Sequence, residues 1–250
     1  MPNPTTLAAA DESPRTKIIA FAGRKQAGKS TLANFLAHNA DELFGPPRYR
    51  CGVWTKSTPV VVLVTGFANE LKELCVNVLG LTRDQCYGTD DQKNTSTPYQ
   101  WGNLPHYERL LTDARTRRQV SAYIVTDTGP APRGNMTARE VLQEVGTGIF
   151  RRMDPDVWVK ATLRRIEHEA PDIAVVADAR FPNEVEAVQK VGGKVVYLLR
   201  RVADDQHASE TALDWFAENQ FDAVLDNRNM NLGQQNDALV QILKGWGWCR

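Results

Sequence analysis

The stretch Gly23-Arg24-Lys25-Gln26-Ala27-Gly28-Lys29-Ser30 decides the fold. It matches the pattern G-x-x-x-x-G-K-[ST], which holds the phosphates of a nucleotide. The short apolar run Lys17–Ala22 before it predicts a buried strand. After it, Leu32, Phe35 and Leu36 recur at helical spacing. A strand, a glycine-rich loop and a helix are the context that makes this pattern a site; the alternative is an ordinary glycine turn before a helix.

Each residue type in the loop has a physical reason to be there. Gly23 and Gly28 allow backbone angles and close approaches that a Cβ would block. Successive N–H groups, together with the helix N-terminus, can then hold phosphate oxygens. Lys29 is expected to reach the β- and γ-phosphates, and the Ser30 hydroxyl to bind Mg²⁺. The residues predicted to bind the nucleotide are Gly23, Lys25, Ala27, Gly28, Lys29, Ser30 and Thr31.

The composition is that of an ordinary globular chain. Of 250 residues, 42% are apolar and 24% charged, and 30 basic side chains balance 30 acidic ones. This balance argues against a general surface for nucleic acid or anionic membranes, although not against a local basic cleft. No apolar run approaches the roughly 18 residues of a membrane helix, and no signal peptide is recognisable. We therefore expect a cytoplasmic protein that binds neither nucleic acid nor membrane.

The four cysteines are scattered, with no C-x-x-C pair. They predict free thiols in a reduced compartment, where each one acts as a small buried hydrophobe. Residues 1–16 are rich in Pro, Thr, Ala and Ser and predict a flexible tail. Residues 17–250 are expected to form a single domain.

Strand-like and helix-like segments alternate along the rest of the chain. Strands are predicted at Val60–Val64, Ile173–Ala177, Val195–Leu199 and Asp222–Leu225, and helices at Phe67–Leu79, from Thr137 to about Phe150, from Asp154-Pro155 to about Glu169, from Pro182 to Gly192, and at Leu232–Leu243. Such alternation predicts an α/β fold with a three-layer parallel sheet. The polar segment Asp84–Pro105 is predicted to be a loop.

Ligands of such sheets lie beyond the carboxyl ends of the strands. Three predicted strand ends therefore face one crevice, and they carry Gly23–Ser30, Asp178 with Arg180, and Arg200. Asp178 is placed to hold Mg²⁺, or alternatively to cap the helix that begins near Pro182. Arg180 could grip a phosphate with two N–H groups, or form a surface ion pair.

Several further motifs occur in a fixed order between about residues 17 and 243. They are Phe67-Ala68 with Leu71-Lys72; Arg139, Leu142-Gln143 and Gly146-Thr147; Arg151 and Trp158; Asp178-Ala179-Arg180-Phe181-Pro182-Asn183-Glu184; His207-Ala208-Ser209-Glu210; and Asp226-Asn227. In this order and spacing the chain resembles the deoxynucleoside monophosphate kinases of bacteriophages. The resemblance implies a P-loop nucleoside monophosphate kinase fold with helical insertions, the variable monophosphate-binding ones lying within residues 41–136.

The resemblance also implies a reaction and a set of site residues. The γ-phosphoryl group of ATP would pass to a deoxynucleoside monophosphate (dNMP), giving dNDP and ADP, with Mg²⁺ held by Ser30 and Asp178. The implied catalytic residues are Lys29, Arg139, Arg151, Asp178 and Arg180, and the implied substrate-binding residues are Lys72, Gln143, Gly146, Thr147, Trp158 and Glu184. A homodimer is implied as well, located in the host cytoplasm if a phage encodes the protein.

Two departures from the family pattern and several alternatives stay open. Gly148 stands where the family usually has an acid, and Ser30 follows the loop lysine where the family usually has an acid. Trp158 could be plain core, and Glu184 could serve only the start of its own helix. The alternative functions are a P-loop kinase acting on a nucleoside or on dephospho-coenzyme A, or a nucleotide-binding switch or assembly protein.

Overall fold

The computed structural model describes residues 16–45, 49–50, 53–54, 59–104, 133–200 and 212–249. The chain divides into two compact units, residues 1–66 with 162–250 and residues 67–161. The predicted tail lies outside the described residues except for Thr16, whose hydroxyl donates to Pro171 O at 2.6 Å. Among the described residues, no helix has both the length and the apolar character that crossing a membrane requires.

Nine strands and ten α-helices are present within the described residues. The strands are β1 (Lys17–Ala22), β2 (Tyr49–Arg50), β3 (Val53–Trp54), β4 (Val62–Thr65), β5 (Ser96–Gln100), β6 (Asn135–Thr137), β7 (Ile173–Ala179), β8 (Lys194–Leu198) and β9 (Ala223–Leu225). The α-helices are α1 (Lys29–His38), α2 (Ala40–Phe44), α3 (Asn69–Asn77), α4 (Arg83–Tyr87), α5 (Asp90–Lys93), α6 (Ala138–Gln143), α7 (Arg151–Met153), α8 (Val157–Glu169), α9 (Pro182–Lys190) and α10 (Leu232–Gly245). Short 3₁₀ helices cover Trp101–Asn103 and Glu218–Gln220, and a π-helix covers Glu144–Phe150.

The first unit is built on a five-stranded sheet in the order β4-β7-β1-β8-β9. All four pairings in it are parallel. Strands β1 and β7 occupy the centre, where both faces are covered, and this explains why their sequences are unbroken apolar runs. The core joins these strands to α1 and α10 through side chains such as Phe21, Leu32, Leu36, Val175 and Leu239. The predicted α/β parallel fold is confirmed.

Helix boundaries in the first unit follow local signals. Helix α9 begins at Pro182, whose fixed φ suits the first turn, and Gly192 follows its end with φ +85°. Helix α10 begins after Asn231, whose side chain accepts a hydrogen bond from Gln234 N at 2.9 Å. Helix α1 has no side-chain cap at its start and leaves the glycine-rich loop directly at Lys29. Helix α8 begins at Val157, later than the predicted start at Asp154-Pro155.

The second unit contains the segment Asp84–Pro105, and the prediction that it is a loop was wrong. It holds most of α4, all of α5, and β5, which pairs antiparallel with β6. Thr82 and Thr89 each cap a short helix in reciprocal capping boxes with Gln85 and Gln92. The apolar periodicity that reveals longer helices does not develop over four or five residues.

The capping box predicted at Thr137 and Glu140 is confirmed. Thr137 Oγ1 accepts from Glu140 N at 3.2 Å, and Glu140 Oε2 accepts from Thr137 N at 2.7 Å. The helix continues from α6 through the π-helix Glu144–Phe150 into α7. This departure from α geometry lies over the predicted substrate residues Gly146 and Thr147, and π segments are frequent at functional sites.

The described cysteines are free thiols, as predicted. Cys75 and Cys86 are buried in the core of the second unit with Leu81, Met136 and Val141. Burial raises the pKa of Cys75 to about 12 and also raises the pKa of Cys86. Both thiols therefore stay protonated at neutral pH and act as small apolar side chains. Cys51 lies outside the described residues.

Candidate functional site

The loop between β1 and α1 turns tightly, and three of its residues have positive φ angles. Gln26 and Gly28 adopt left-handed angles, with φ of +61° and +102°. Gly23 has φ +138°, and a Cβ added there would lie 2.9 Å from Leu198 O, too close for two non-bonded heavy atoms. Glycine at this position therefore lets the end of β8 approach the loop backbone.

Lys29, the first residue of α1, is buried at 7% exposure. Its Nζ donates hydrogen bonds to Gly23 O at 2.5 Å and to Arg24 O at 2.7 Å. These carbonyl oxygens compensate the ammonium for water lost on burial. The positive charge is thus held inside the glycine-rich loop.

An ion pair between a buried arginine and a more exposed aspartate joins the same loop to a distant segment. Arg24, at 8% exposure, pairs through Nη2 with a carboxylate oxygen of Asp214. Neither residue was predicted from the sequence, since 190 positions separate them and no local pattern marks either one. A charge this deeply buried needs its partner, so Asp214 restrains the loop through Arg24.

Asp178 lies near the end of β7, at the same sheet edge as the loop. The neighbouring pair Ala22 and Ala179 is in register between β1 and β7, so Asp178 lies beside the end of β1. Its carboxylate packs against the backbone of Gly66, which follows β4: a Cβ at Gly66 would lie 2.6 Å from Cγ and Oδ2 of Asp178. The half-buried carboxylate is thus set at the junction of three strand ends.

We expect Gly66→Ala to displace the carboxylate of Asp178, which the family resemblance implies is catalytic, and to lower turnover by about 10-fold or more, because small misplacements of such a group are costly. The added methyl also overpacks a filled site, which costs about 1–3 kcal/mol of unfolding free energy. Steady-state kinetics and urea denaturation measure the two effects. Gly245→Ala is the matched control, since its Cβ would meet nothing within 4 Å. Equal turnover in Gly66→Ala and wild type would contradict the placement of Asp178 in the site.

Glu184 is buried at 2% exposure at the start of α9. Its Oε2 accepts hydrogen bonds from Arg180 N at 2.8 Å and from Phe181 N at 3.1 Å. These bonds satisfy backbone donors at the helix start, which is the structural alternative given for this residue. The side chain thereby holds the Arg180 backbone, while its role in substrate binding stays a prediction.

Arg200, just beyond β8, is engaged by the protein backbone. Its Nη2 donates to Asn227 O at 2.7 Å and to Met230 O at 2.6 Å, and its Nε to Asn227 O at 3.1 Å. These bonds join the end of β8 to the segment that follows β9. Arg200 therefore supports the strand ends.

The second unit contains the other predicted arginines. Arg139 donates from Nη2 to Asp90 Oδ1 at 2.7 Å and from Nε to Asn94 Oδ1 at 3.0 Å. Both members of this ion pair are partly exposed, and such a pair contributes about 0–1 kcal/mol. Arg139 can therefore exchange Asp90 for a phosphate at little cost. Arg151 is half-buried where the π-helix passes into α7.

Trp158 is buried at 6% exposure within this unit. Its Nε1 donates to Gly146 O at 3.1 Å, and its ring lies 5.2 Å from that of Phe150. The arrangement matches the interpretation of Trp158 as core, and it holds the π-helix at Gly146. Gln143 and Thr147, four residues apart, are both exposed. Trp158 therefore supports the backbone from a buried position, whereas Gln143 and Thr147 are accessible to a ligand.

Lys72 on α3 lies over an aromatic ring that the sequence did not reveal. Its Nζ is 4.7 Å from the centroid of Tyr87, whose hydroxyl donates to Glu73 Oε1 at 2.7 Å. Burial and the Glu73 carboxylate raise the pKa of Tyr87, so the hydroxyl stays protonated. Arg83 grips both oxygens of Glu73, at 3.0 and 3.1 Å. Tyr87 and Glu73 therefore help to set the position of Lys72.

Comparison with known proteins indicates the family to which this chain belongs. A model of the deoxynucleotide monophosphate kinase family matches residues 85–233, more than half of the chain. That range includes Gln143, Thr147 and the run Asp178–Glu184, but not the loop at 23–30. A protein of Acanthamoeba polyphaga mimivirus, provisionally named a deoxynucleotide monophosphate kinase, is 26% identical over 215 residues. The aligned region covers 84% of this chain and 88% of the viral protein.

Proposed function

Because the chain belongs to the deoxynucleotide monophosphate kinase family, we propose that it transfers the γ-phosphoryl group of ATP to a deoxynucleoside monophosphate. An oxygen of the acceptor phosphate forms the new P–O bond as the bond from the γ-phosphorus to the bridging oxygen breaks. The products are ADP and a deoxynucleoside diphosphate. The observation that carries the donor half is the Lys29 ammonium held on two carbonyls inside the glycine-rich loop.

The donor residues support this proposal through charge and geometry. Lys29 would exchange the Gly23 and Arg24 carbonyls for the β- and γ-phosphate oxygens, which are stronger acceptors. The remaining nucleotide contacts are assigned to Lys25, Ala27, Gly28, Ser30 and Thr31 around it. Of these, Lys25, Ser30 and Thr31 are exposed. Oxygen ligands suit Mg²⁺, and the Ser30 hydroxyl with the Asp178 carboxylate beside Gly66 fits that preference. Bound there, Mg²⁺ would neutralise charge on the phosphates.

The acceptor residues are proposed from the family resemblance and weighed by their contacts. Arg139, Arg151 and Arg180 are the candidates to hold the acceptor phosphate and the group in transfer. The partly exposed pair of Arg139 with Asp90 is one that a phosphate could replace. Gln143 and Thr147 are accessible polar groups suited to a base or sugar edge. Lys72 would add positive charge. Trp158, Gly146 and Glu184 would act mainly by supporting the backbone at Gly146 and Arg180.

One experiment tests the proposal as a whole. The protein is incubated with ATP and Mg²⁺ and, in separate reactions, with dAMP, dGMP, dCMP, dTMP, the matching ribonucleotides, the corresponding nucleosides or dephospho-coenzyme A, and the products are separated. We expect a deoxynucleoside diphosphate and ADP in equal amounts. Transfer only to a nucleoside or to dephospho-coenzyme A would indicate the alternative kinases. ATP binding with no transfer to any acceptor would indicate a switch or assembly protein. Gel filtration of the same sample tests the proposed homodimer.

Trp158→Phe is expected to raise the KM for the monophosphate by about 10-fold, since the π-helix that carries Thr147 can then shift, and small misplacements of binding groups are costly. Phenylalanine keeps most of the packing but cannot donate to Gly146 O, so the π-helix between Gln143 and Thr147 loses its anchor. The KM for ATP should stay unchanged. Trp215→Phe, at a side chain 95% exposed, is the control. An unchanged monophosphate KM would leave Trp158 as core alone.

A further inference from the structure

Asn227, which follows β9, makes three hydrogen bonds from a fully buried side chain. Its Nδ2 donates to Ala27 O and to Gln235 Oε1, both at 2.8 Å. Its Oδ1 accepts from Arg200 N at 2.9 Å. One amide thus joins the glycine-rich loop, the end of β8 and helix α10, although 200 positions separate Asn227 from Ala27.

Gln235 holds this amide in place from α10. It is 1% exposed, and its side chain packs against the loop: a Cβ at Gly28 would lie 3.1 Å from both Nε2 and Oε1. Within the described part of the chain, Gln235 Nε2 has no hydrogen-bond partner. Burying a donor in this way costs stability that an apolar side chain of similar size would not cost. Packing alone therefore does not explain why the amide groups of Asn227 and Gln235 are buried together here.

The bond to Ala27 O determines where the next N–H group points. A trans peptide is planar, so the Ala27 carbonyl and the Gly28 N–H point in opposite directions, and the described residues contain no cis peptide bond. With its carbonyl held by Asn227, the peptide aims the Gly28 N–H away from the buried amide pair. Glycine at 28 would otherwise let this peptide turn over easily, because it tolerates both signs of φ.

We propose that Asn227 is a positioning residue that orients the Gly28 N–H toward the phosphates of the donor nucleotide, with Gln235 holding the Asn227 amide. This inference rests on the proposed function of the loop as the ATP site. It assigns to a residue after the last strand an effect on donor binding that leaves acceptor binding unchanged.

Asn227→Asp tests the proposal, because it keeps the oxygen that accepts from Arg200 N and replaces the donor that faces Ala27 O. We expect the Kd and KM for ATP to rise by about 10- to 100-fold, the value of one hydrogen bond to a charged group. The monophosphate KM should change by less than about twofold. Titration calorimetry gives the Kd, and urea denaturation gives the unfolding free energy of each variant.

Asn231→Asp is the matched control. It makes the same change of charge four residues away, and aspartate caps a helix as well as asparagine does. If the buried carboxylate of Asn227→Asp prevents folding, Gln235→Met decides the question. It removes the acceptor that holds Asn227 Nδ2 and keeps similar volume, so the same selective loss of ATP affinity is expected.

The outcomes separate this inference from the function on which it rests. A wild-type protein that does not bind ATP would overturn both. A wild type that binds ATP, with folded variants that bind it equally well or lose affinity for both substrates alike, would overturn the positioning role alone.

Discussion

Lys29→Ala is expected to lower kcat/KM for ATP-dependent transfer by about 10²- to 10³-fold or more, which is the typical effect of removing one preorganised donor to a transition state. The loss is expected because of the positive charge of Lys29 and its position inside the loop. The Lys29 ammonium lies within the loop on the Gly23 and Arg24 carbonyls, where we propose that the phosphate oxygens bind. Alanine leaves no cation there as negative charge develops on the group in transfer.

The fold should survive this change, because Lys29 begins a helix and alanine is the best helix former. Circular dichroism and urea denaturation check this, and Lys29→Met separates the loss of charge from the loss of bulk. Lys190→Ala, at an exposed lysine at the end of α9, serves as the control. If Lys29→Ala turned over as fast as wild type, the assignment of the loop as the ATP site would be wrong.

Arg180→Lys is expected to reduce kcat by about 10²-fold, part of the 10³-fold or more that an arginine can contribute in phosphoryl transfer. Lysine keeps the charge but cannot offer two parallel N–H groups to one phosphate. The Arg180 backbone is held by Glu184 Oε2 at 2.8 Å, so the substitution changes the side chain without moving the main chain. The KM for ATP should change by less than about twofold, since the interaction is made mainly in the transition state.

Stopped reactions at saturating ATP and monophosphate measure this effect. Arg165→Lys is the control, because it makes the same replacement in an exposed pair with Glu169 on α8. A change confined to ATP affinity would mean that Arg180 binds the donor nucleotide and takes no part in the transfer.

Local sequence was enough to predict those structures that depend only on residues close together along the chain. The β1–loop–α1 unit was predictable because its apolar run, its glycines and its helical face are contiguous in the sequence. The Thr137–Glu140 capping box and the start of α9 at Pro182 were equally local. The phosphate-binding pattern of the loop was recognisable for the same reason.

Prediction failed in the second unit for a physical reason. The segment Asp84–Pro105 is polar, and its helices span only one turn or little more, so no periodicity revealed them. Strand β5 exists because it pairs with β6, some forty residues further along the chain. Pairing between distant segments is set by which surfaces meet on folding, and that information is absent from a window of adjacent residues.

The surroundings of several side chains depend on burial and could not be predicted from residue type alone. Trp158 and Glu184 were singled out by family resemblance, and tertiary structure buries both against backbone groups that need a partner. Tyr87 was missed because its place under Lys72 depends on how α3 and α4 pack. The same packing brings Lys72, Glu73 and Arg83 together around the Tyr87 side chain.

By itself, the sequence determined that this protein has a parallel α/β fold, a glycine-rich loop with the phosphate-binding pattern at Gly23–Ser30 and an acid at a neighbouring strand end. Only the tertiary structure decided what holds that loop: Asp214 on Arg24, and Asn227 on the Ala27 carbonyl. The loop motif is a run of adjacent residues whose backbone makes the site. Its supports lie about 200 positions away and are selected by burial, because a polar group removed from water must find its partner wherever the fold brings one.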